Sequence, residues 1–325
     1  MEYTVRVANE QDLPAIIELF EISLGTEYGA PTESFWRWKH INNPFGESPV
    51  LLAFDGEKLI GLRAFMRWQW QYKGKVLPAF RAVDTGTHPD YRGKGIFSRL
   101  TKQLIAELKE SEPPSFIYNT PNNASKPGYL KMGWQVLGKP VVFGSLTLQH
   151  SRYAMLRFER FQEALQALDF NALPSDYSLD VNQGLIHVNH SLDYYKWRYQ
   201  SIPEIPYGSY RYEGSEGEIL LFFHLKNRKY FHELRISDAL WLSGKPQRQL
   251  LMQAAHKLAA RLGTPFISLV SKDPVNLWER INYRMFSLQK LAPELTVREV
   301  NSQELLALVS DINNWSFTMG DLELF

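Results

Sequence analysis

An α+β fold built in two successive parts is expected, and three observations lead to it. Apolar runs alternate with helical spacing in the order strand, two helices, antiparallel strands, helix, strand, helix, strand. That order lacks the strict strand–helix alternation of a doubly wound sheet. The second half repeats landmarks of the first, and 325 residues exceed one ordinary domain and suit two.

Tyr3 to Val7 alternates as a short strand. Asn9 or Asp12 then caps a helix to about Ser23, whose apolar stripe is Leu13, Ile16, Ile17, Leu19 and Phe20. Ser34 opens a second, aromatic helix that stops before Pro44 and Gly46. Val50 to Phe54 and Leu59 to Trp70 read as strands joined by the turn Asp55-Gly56. Lys73-Gly74-Lys75 turns the chain again into a strand from Val76 to Thr87. From Gly95 to about Glu110 the positions Ile96, Leu100, Leu104, Ile105 and Leu108 keep helical spacing, and Pro113-Pro114 ends it. Phe116 to Tyr118 is a short strand, and a short helix leads to Gly133-Trp134.

Four landmarks recur in order. Phe35-Trp36-Arg37-Trp38-Lys39 is echoed by Tyr194-Tyr195-Lys196-Trp197-Arg198, and Pro44-Phe45-Gly46 by Pro206-Tyr207-Gly208. Val50 to Phe54 pairs with Ile219 to Phe223, and Tyr129 to Trp134 with Trp278 to Tyr283. The series points to an internal duplication. The expected division is residues 1–145, a connection over 146–175 with helical character near Tyr153 to Leu168, and residues 176–325.

Hydrophobic residues at 44% and charged residues at 22% describe a soluble globular chain. The net charge of +1, from 36 basic and 35 acidic residues without a block of one sign, implies neither nucleic acid nor an anionic membrane as partner. The absence of cysteine removes disulfides, thiolate nucleophiles and Cys-ligated zinc, and suits a reducing cytoplasm. No metal-ligand pattern stands out. The polar, alternating start is no signal peptide, and no apolar run nears the roughly eighteen residues of a membrane span, so a cytoplasmic protein is expected. Oligomeric state leaves no mark in the sequence. Aromatic residues reach 14%, clustered at Phe35, Trp36 and Trp38 and at Trp68, Trp70 and Tyr72. Packing explains them, and so would the lining of a substrate cleft.

The strongest local signal runs from Val83 to Phe97. A strand ends at Thr87, a polar turn carries Gly93 and Gly95, and an amphipathic helix follows at once. Backbone N–H groups and the positive end of a helix dipole then converge on one point, an arrangement suited to pyrophosphate, and Arg92 and Lys94 add charge. A basic surface turn with glycines for geometry is the plainer reading. Spacing rules out two alternatives. Tyr91 stands where the nucleotide P-loop needs its second glycine, and Ser98 where the dinucleotide fold needs its third.

Arg92-Gly93-Lys94-Gly95-Ile96-Phe97, led in by His88-Pro89-Asp90-Tyr91, resembles the central motif of the GCN5-related N-acetyltransferase (GNAT) superfamily, Arg/Gln-x-x-Gly-x-Gly/Ala. Phe97 departs from it, standing where Gly or Ala is common. A second family motif, Asn-x-x-Ala-x-x-x-Tyr-x-x-x-Gly-Phe, is matched by Asn122, Ser125, Tyr129, Gly133 and Trp134. The resemblance covers about residues 1–145 and implies two tandem GNAT-like domains, each a mixed, mostly antiparallel sheet flanked by helices. Leu242-Ser243-Gly244-Lys245-Pro246 occupies the motif's slot in the second half, so that copy reads as non-catalytic.

The resemblance further implies an acetyltransferase that moves the acetyl group of acetyl-CoA to a small-molecule amine in one direct step. Backbone amides of Thr85, Gly86 and Thr87 would meet the pantetheine arm, those of Arg92, Gly93, Lys94, Gly95, Ile96 and Phe97 the pyrophosphate, and Asn122 would also border the cofactor. Tyr129 would protonate the departing thiolate. Asp84, at the end of the preceding strand, would be the base if burial raised its proton affinity; otherwise it pairs with Arg81 or Arg63 and a water chain takes the proton. His88, in a His-Pro pair, reads as a turn residue. Trp36, Trp38 and His40 would border the acceptor cleft, and these aromatics together with Trp68, Trp70 and Tyr72 would stack on an amino sugar or another flat apolar acceptor. Two other classes fit the same motifs: a CoA-binding or scaffold protein without catalysis, and an aminoacyl transferase of the peptidoglycan-bridge type. The near-zero charge speaks against the second, which uses charged tRNA.

Overall fold

The computed structural model describes residues 2–24, 31–147, 156–159, 184–245 and 247–322. They divide into two units: the first takes in 1–71, 75–138 and 294–311, the second 72–74, 139–293 and 312–325.

The first unit opens with β1 (Thr4–Val7) and α1 (Leu13–Leu24). Asn9 and Asp12 both cap α1's leading turn. Asn9 Oδ1 accepts from Gln11 N at 2.9 Å, and Asp12 Oδ2 accepts from Asn9 N at 2.8 Å. α2 (Glu33–Trp36), capped by Thr32, widens into a π turn over Arg37–Ile41. β2 (Val50–Asp55), β3 (Lys58–Tyr72), β4 (Lys75–Thr87), α3 (Ile96–Ser111), β5 (Phe116–Asn119), α4 (Lys126–Lys131) and β6 (Gln135–Gly138) follow. Period-two alternation divides β2 between two cores: Leu51 and Ala53 pack with Ile96, Leu100 and Leu104 of α3, and Val50 and Leu52 with Leu13, Ile16 and Phe20 of α1. Burying each such leucine or isoleucine is worth roughly 1.5–3 kcal/mol, which presses α3 onto the sheet and fixes where its first turn points.

In the second unit β7 (Val142–Leu146) is followed by β8 (His187–Val188), α5 (Leu192–Tyr195) with its own π turn Lys196–Gln200, β9 (Gly208–Gly214), β10 (Gly217–Asn227) and β11 (His232–Gly244). Then come α6 (Arg248–Leu262), β12 (Phe266–Val270), α7 (Leu277–Asn282) and β13 (Met285–Ser287). β14 (Leu295–Glu299) and α8 (Gln303–Val309) return to the first unit, and α9 (Met319–Leu322) closes the second.

The two sheets have one design. The first runs β1-β2-β3-β4-β5-β14-β6 and the second β9-β10-β11-β12-β7-β13. β4 is parallel to β5 and β11 to β12, while β14 and β7 are antiparallel to both of their neighbours. Both are mixed, mostly antiparallel sheets flanked by helices, as the sequence predicts.

The slot between β5 and β6 holds β14, from near the chain's end, and the matching slot between β12 and β13 holds β7, from the first half. A division at 145 and 176 assigns β7 and β14 the other way. Either strand can fill either slot as far as backbone chemistry goes, because a slot asks only for paired N–H and C=O groups. The echo of β2 also moves. By sheet order its counterpart is β9, whereas Ile219 to Phe223 lies in β10, the counterpart of β3. Of the connection expected at 146–175, only 146–147 and 156–159 fall within the described residues. Among the described residues no helix is long and apolar enough to cross a membrane, and no group of three His, Asp or Glu side chains could hold a metal ion.

Candidate active site

β4 pairs with β5 only from Ala79 to Arg81, against Phe116 to Tyr118. β4 then runs on to Thr87 while β5 ends at Asn119, so the two strands part. Thr85, Gly86 and Thr87 lie on this free stretch, with Thr85 Oγ1 donating to Leu62 O on the other side at 3.2 Å. His88 shapes the next turn, its Nδ1 accepting from Asp90 N at 3.3 Å. Arg92 Nη2 donates to Ser23 O at 2.7 Å, which ties the loop to α1, and Lys94 lies 4.7 Å over the Tyr91 ring.

Gly93 and Gly95 both take left-handed backbone, φ 75° and 76°, with no atom within 4 Å of where a Cβ would stand. Gly95 is the N-cap of α3 and offers no side-chain acceptor, so the N–H groups that open the helix lack a capping partner. Uncapped N–H groups at the positive end of a sixteen-residue helix, beside open space, fit a pyrophosphate. Ile96 itself is buried, so its contribution is the backbone alone.

Asn122 Oδ1 accepts from Ser125 N at 2.9 Å and so shapes the turn before α4, and an ion pair joins Lys126 to Glu294. On α4 the Tyr129 ring is buried, 4% exposed, between Phe97 at 5.6 Å and Trp134 at 5.0 Å. Among the described residues its hydroxyl has no hydrogen-bond partner, yet it is not among the polar atoms sealed from solvent. Phe97 therefore packs edge-on against the tyrosine and leaves the glycine loop open.

Asp84 takes a left-handed conformation too, φ 43°, rare for a residue with a side chain. This aims its carboxylate at the π turn of α2, where Oδ2 lies 2.7 Å from both Lys39 Nζ and His40 Nε2. Burial alone would raise Asp84, but the Lys39 ammonium and the His40 hydrogen bond hold it well below the usual carboxylate range. The sequence-based expectation of a raised Asp84 is thereby corrected, and its partners are Lys39 and His40 in place of Arg81 or Arg63. Burial pushes His40 below its ordinary value against the pull of Asp84, so the imidazole is neutral near pH 7. Both contacts use Oδ2, and 18% of the Asp84 side chain remains exposed.

Trp36, Trp38 and His40 are 5%, 4% and 2% exposed. Trp36 packs on Phe20 at 5.9 Å and His40 at 4.1 Å, and Trp38 on Phe35 at 5.3 Å. The expected aromatic wall of an acceptor cleft is thus buried, because the apolar face of this helix turns inward onto the sheet. Two functional candidates escaped the sequence reading. Lys39 carried no signal. Arg63 did, as a charge between Leu62 and Ala64 on an apolar strand.

The second unit repeats the frame without the cradle. Leu250 follows Asp238 by the same twelve residues that separate Ile96 from Asp84, and the buried positions of α6 match those of α3. Gln247 and Gln249 then stand for Gly93 and Gly95, and the helix begins earlier, at Arg248. Arg248 is spent on Glu279, with two bonds of 2.6 Å, and on the carbonyls of Asp273 and Pro274. A cavity of about 280 Å³ remains beside Trp241, Arg248 and Leu251.

A family model described as an acetyltransferase (GNAT) domain matches residues 4–137. No curated protein matches the sequence significantly. Among solved structures, a GCN5-related N-acetyltransferase from Anabaena variabilis ATCC 29413 is 15% identical, with a TM-score of 0.62 over 92% of this chain and 73% of that one. A conserved protein of unknown function from Enterococcus faecalis V583 is 14% identical, with a TM-score of 0.63 over 94% and 75%. A GCN5-related N-acetyltransferase from Kribbella flavida is 11% identical, with 0.53 over 92% and 71%. At these identities the likeness is one of fold.

Proposed function

We propose that the first unit, whose residues 4–137 match the acetyltransferase (GNAT) domain model, transfers an acetyl group from acetyl-CoA to the primary amine of a small molecule. The observation that carries this is the pair of left-handed glycines opening onto the uncapped start of α3, next to the stretch of β4 that has parted from β5. Amides of residues 92–97 hold the pyrophosphate, those of 85–87 run along the pantetheine arm, and Asn122 shapes the turn at its side. Bound there, acetyl-CoA supplies an activated thioester.

Asp84 acts as an ionised carboxylate: Oδ2 is held by Lys39 and His40, and Oδ1 receives the acceptor's ammonium. The amine then loses its proton to water. The nitrogen attacks the thioester carbonyl, the C–S bond breaks, and Tyr129 donates its hydroxyl proton to the sulfur. The acceptor is the primary amine of a small molecule, and Trp36 and Trp38, which suggested an amino sugar, are buried. The second unit serves without a cofactor of this kind, and the protein works in the cytoplasm.

Calorimetric titration with acetyl-CoA tests the reading. Binding by the intact protein that a Gly93→Ala/Gly95→Ala variant loses supports it, and an amine panel followed by free thiol release then finds the acceptor. No binding by the intact protein sinks it.

A further inference from the structure

The Arg63 side chain is fully buried, 0% exposed, and its Nε, Nη1 and Nη2 have no hydrogen-bond partner among the described residues. Its guanidinium carbon lies 4.6 Å from the Phe65 ring centroid and 5.4 Å from those of Phe97 and Tyr129. The bond from Thr85 to Leu62 O sets Arg63 on β3 beside the Asp84 end of β4, yet the Asp84 carboxylate is turned away to Lys39 and His40. A buried cation without a counter-ion is costly, and three aromatic faces offset only part of that cost. Phe97, the residue that departs from the family motif, provides one of those faces.

We propose that Arg63 is the counter-charge for the sulfur that departs at Tyr129: it stabilises the negative charge that the breaking C–S bond leaves on sulfur and, once Tyr129 has given up its proton, on the tyrosine oxygen. The inference rests on the acetyl-transfer reading of this site. The balance is simple. The acceptor nitrogen bonds the carbonyl carbon and the C–S electron pair goes to sulfur. Tyr129 protonates the sulfur and regains a proton from solvent, and the amine's proton goes to water. Arg63 exchanges no proton. It is a positioning residue that acts through charge.

Product CoA, with a free thiol, probes this without any acceptor. Its binding is followed by calorimetry and its ionisation by the ultraviolet absorbance of the thiolate. CoA on the intact protein should ionise at least about tenfold more readily than free CoA, as expected for a cation within a few ångströms. Arg63→Met should remove that gain while CoA still binds, and Arg63→Lys should keep part of it. Equal ionisation of free and bound CoA overturns the proposal, as does an unchanged titration in Arg63→Met. Should Arg63→Met fail to fold, the comparison of free with bound CoA on the intact protein decides alone. Failure of the underlying reading looks different: CoA then does not bind the intact protein, and both fall.

Discussion

Asp84 and Asp238 occupy one register position in two separate sheets. Each stands three residues beyond the last parallel pair, Arg81 with Tyr118 and Arg235 with Ser268. Each also meets the fourth residue of a π turn, His40 at 2.7 Å and Tyr199 at 3.2 Å. The carboxylate and its support are present in both units. Among the described residues the glycine cradle is present in the first unit only.

Asp84 should matter for stability more than for the shape of a pH profile. Its folded value is depressed, so its contribution is present above the unfolded value of about 3.9 and lost only as pH falls through the lower folded one. It stays ionised between about pH 5 and 9, and no limb of activity in that range belongs to it. Asp84→Asn leaves the buried Lys39 ammonium without its carboxylate and should cost about 3–5 kcal/mol. Urea unfolding reads this, and an unchanged midpoint would contradict the pairing.

Tyr129→Phe removes one oxygen from a ring that packing already holds between Phe97 and Trp134. Acetyl-CoA should bind within about threefold of the parent, while kcat falls by about 10²–10⁴, the usual worth of a general acid. Equal turnover would remove Tyr129 from the chemistry.

Gly93→Ala and Gly95→Ala should separate folding from binding. Open space surrounds each added methyl, so the cost to the fold is the left-handed backbone alone, about 1–2 kcal/mol. Acetyl-CoA affinity should drop at least about tenfold as the amides turn away. Acetyl-pantetheine, which lacks the pyrophosphate, should be affected much less. Equal losses for both ligands would place the pyrophosphate elsewhere.

In the second unit, burial and the Asp238 carboxylate push Asp321 up to about 6, against the pull of His190. A raised acid contributes stability that is complete below its unfolded value near 3.9 and is lost as pH rises through 6. Asp321→Asn keeps an acceptor for Thr318 N and removes the charge. It should stabilise the protein by about 2–3 kcal/mol at pH 8, with the gain shrinking toward pH 4. Melting curves across that range are the check, and a gain that grows on acidification would reverse the assignment.

Residues 1–145 expressed alone lack β14, leaving the facing edges of β5 and β6 unpaired. That piece should aggregate, and joining residues 294–311 to it through a linker should restore soluble protein. A soluble, acetyl-CoA-binding 1–145 fragment would show that its own β7 can fill the slot.

Local features were legible in the sequence because neighbours along the chain decide them. The spacing of Ile96, Leu100, Leu104, Ile105 and Leu108 sufficed to place α3, and all five are buried. Gly93 and Gly95 announced a turn that needs left-handed backbone, and both adopt it. The matching order of the two sheets was foreshadowed by the repeated landmarks. Partnership was decided only by tertiary structure. Nothing local tells β14 from β7 as the filler of a slot, since both offer the same backbone hydrogen bonds. Asp84 finds Lys39 and His40 more than forty residues away because a π turn and a left-handed residue aim them at one point. Trp36 and Trp38 became core because α2 lies on the sheet, and the buried Arg63 guanidinium has no hydrogen-bond partner among the described residues, while Asp84 is held by Lys39 and His40. Sequence spacing carries a residue's own conformation, whereas its partner depends on which faces the whole chain brings together.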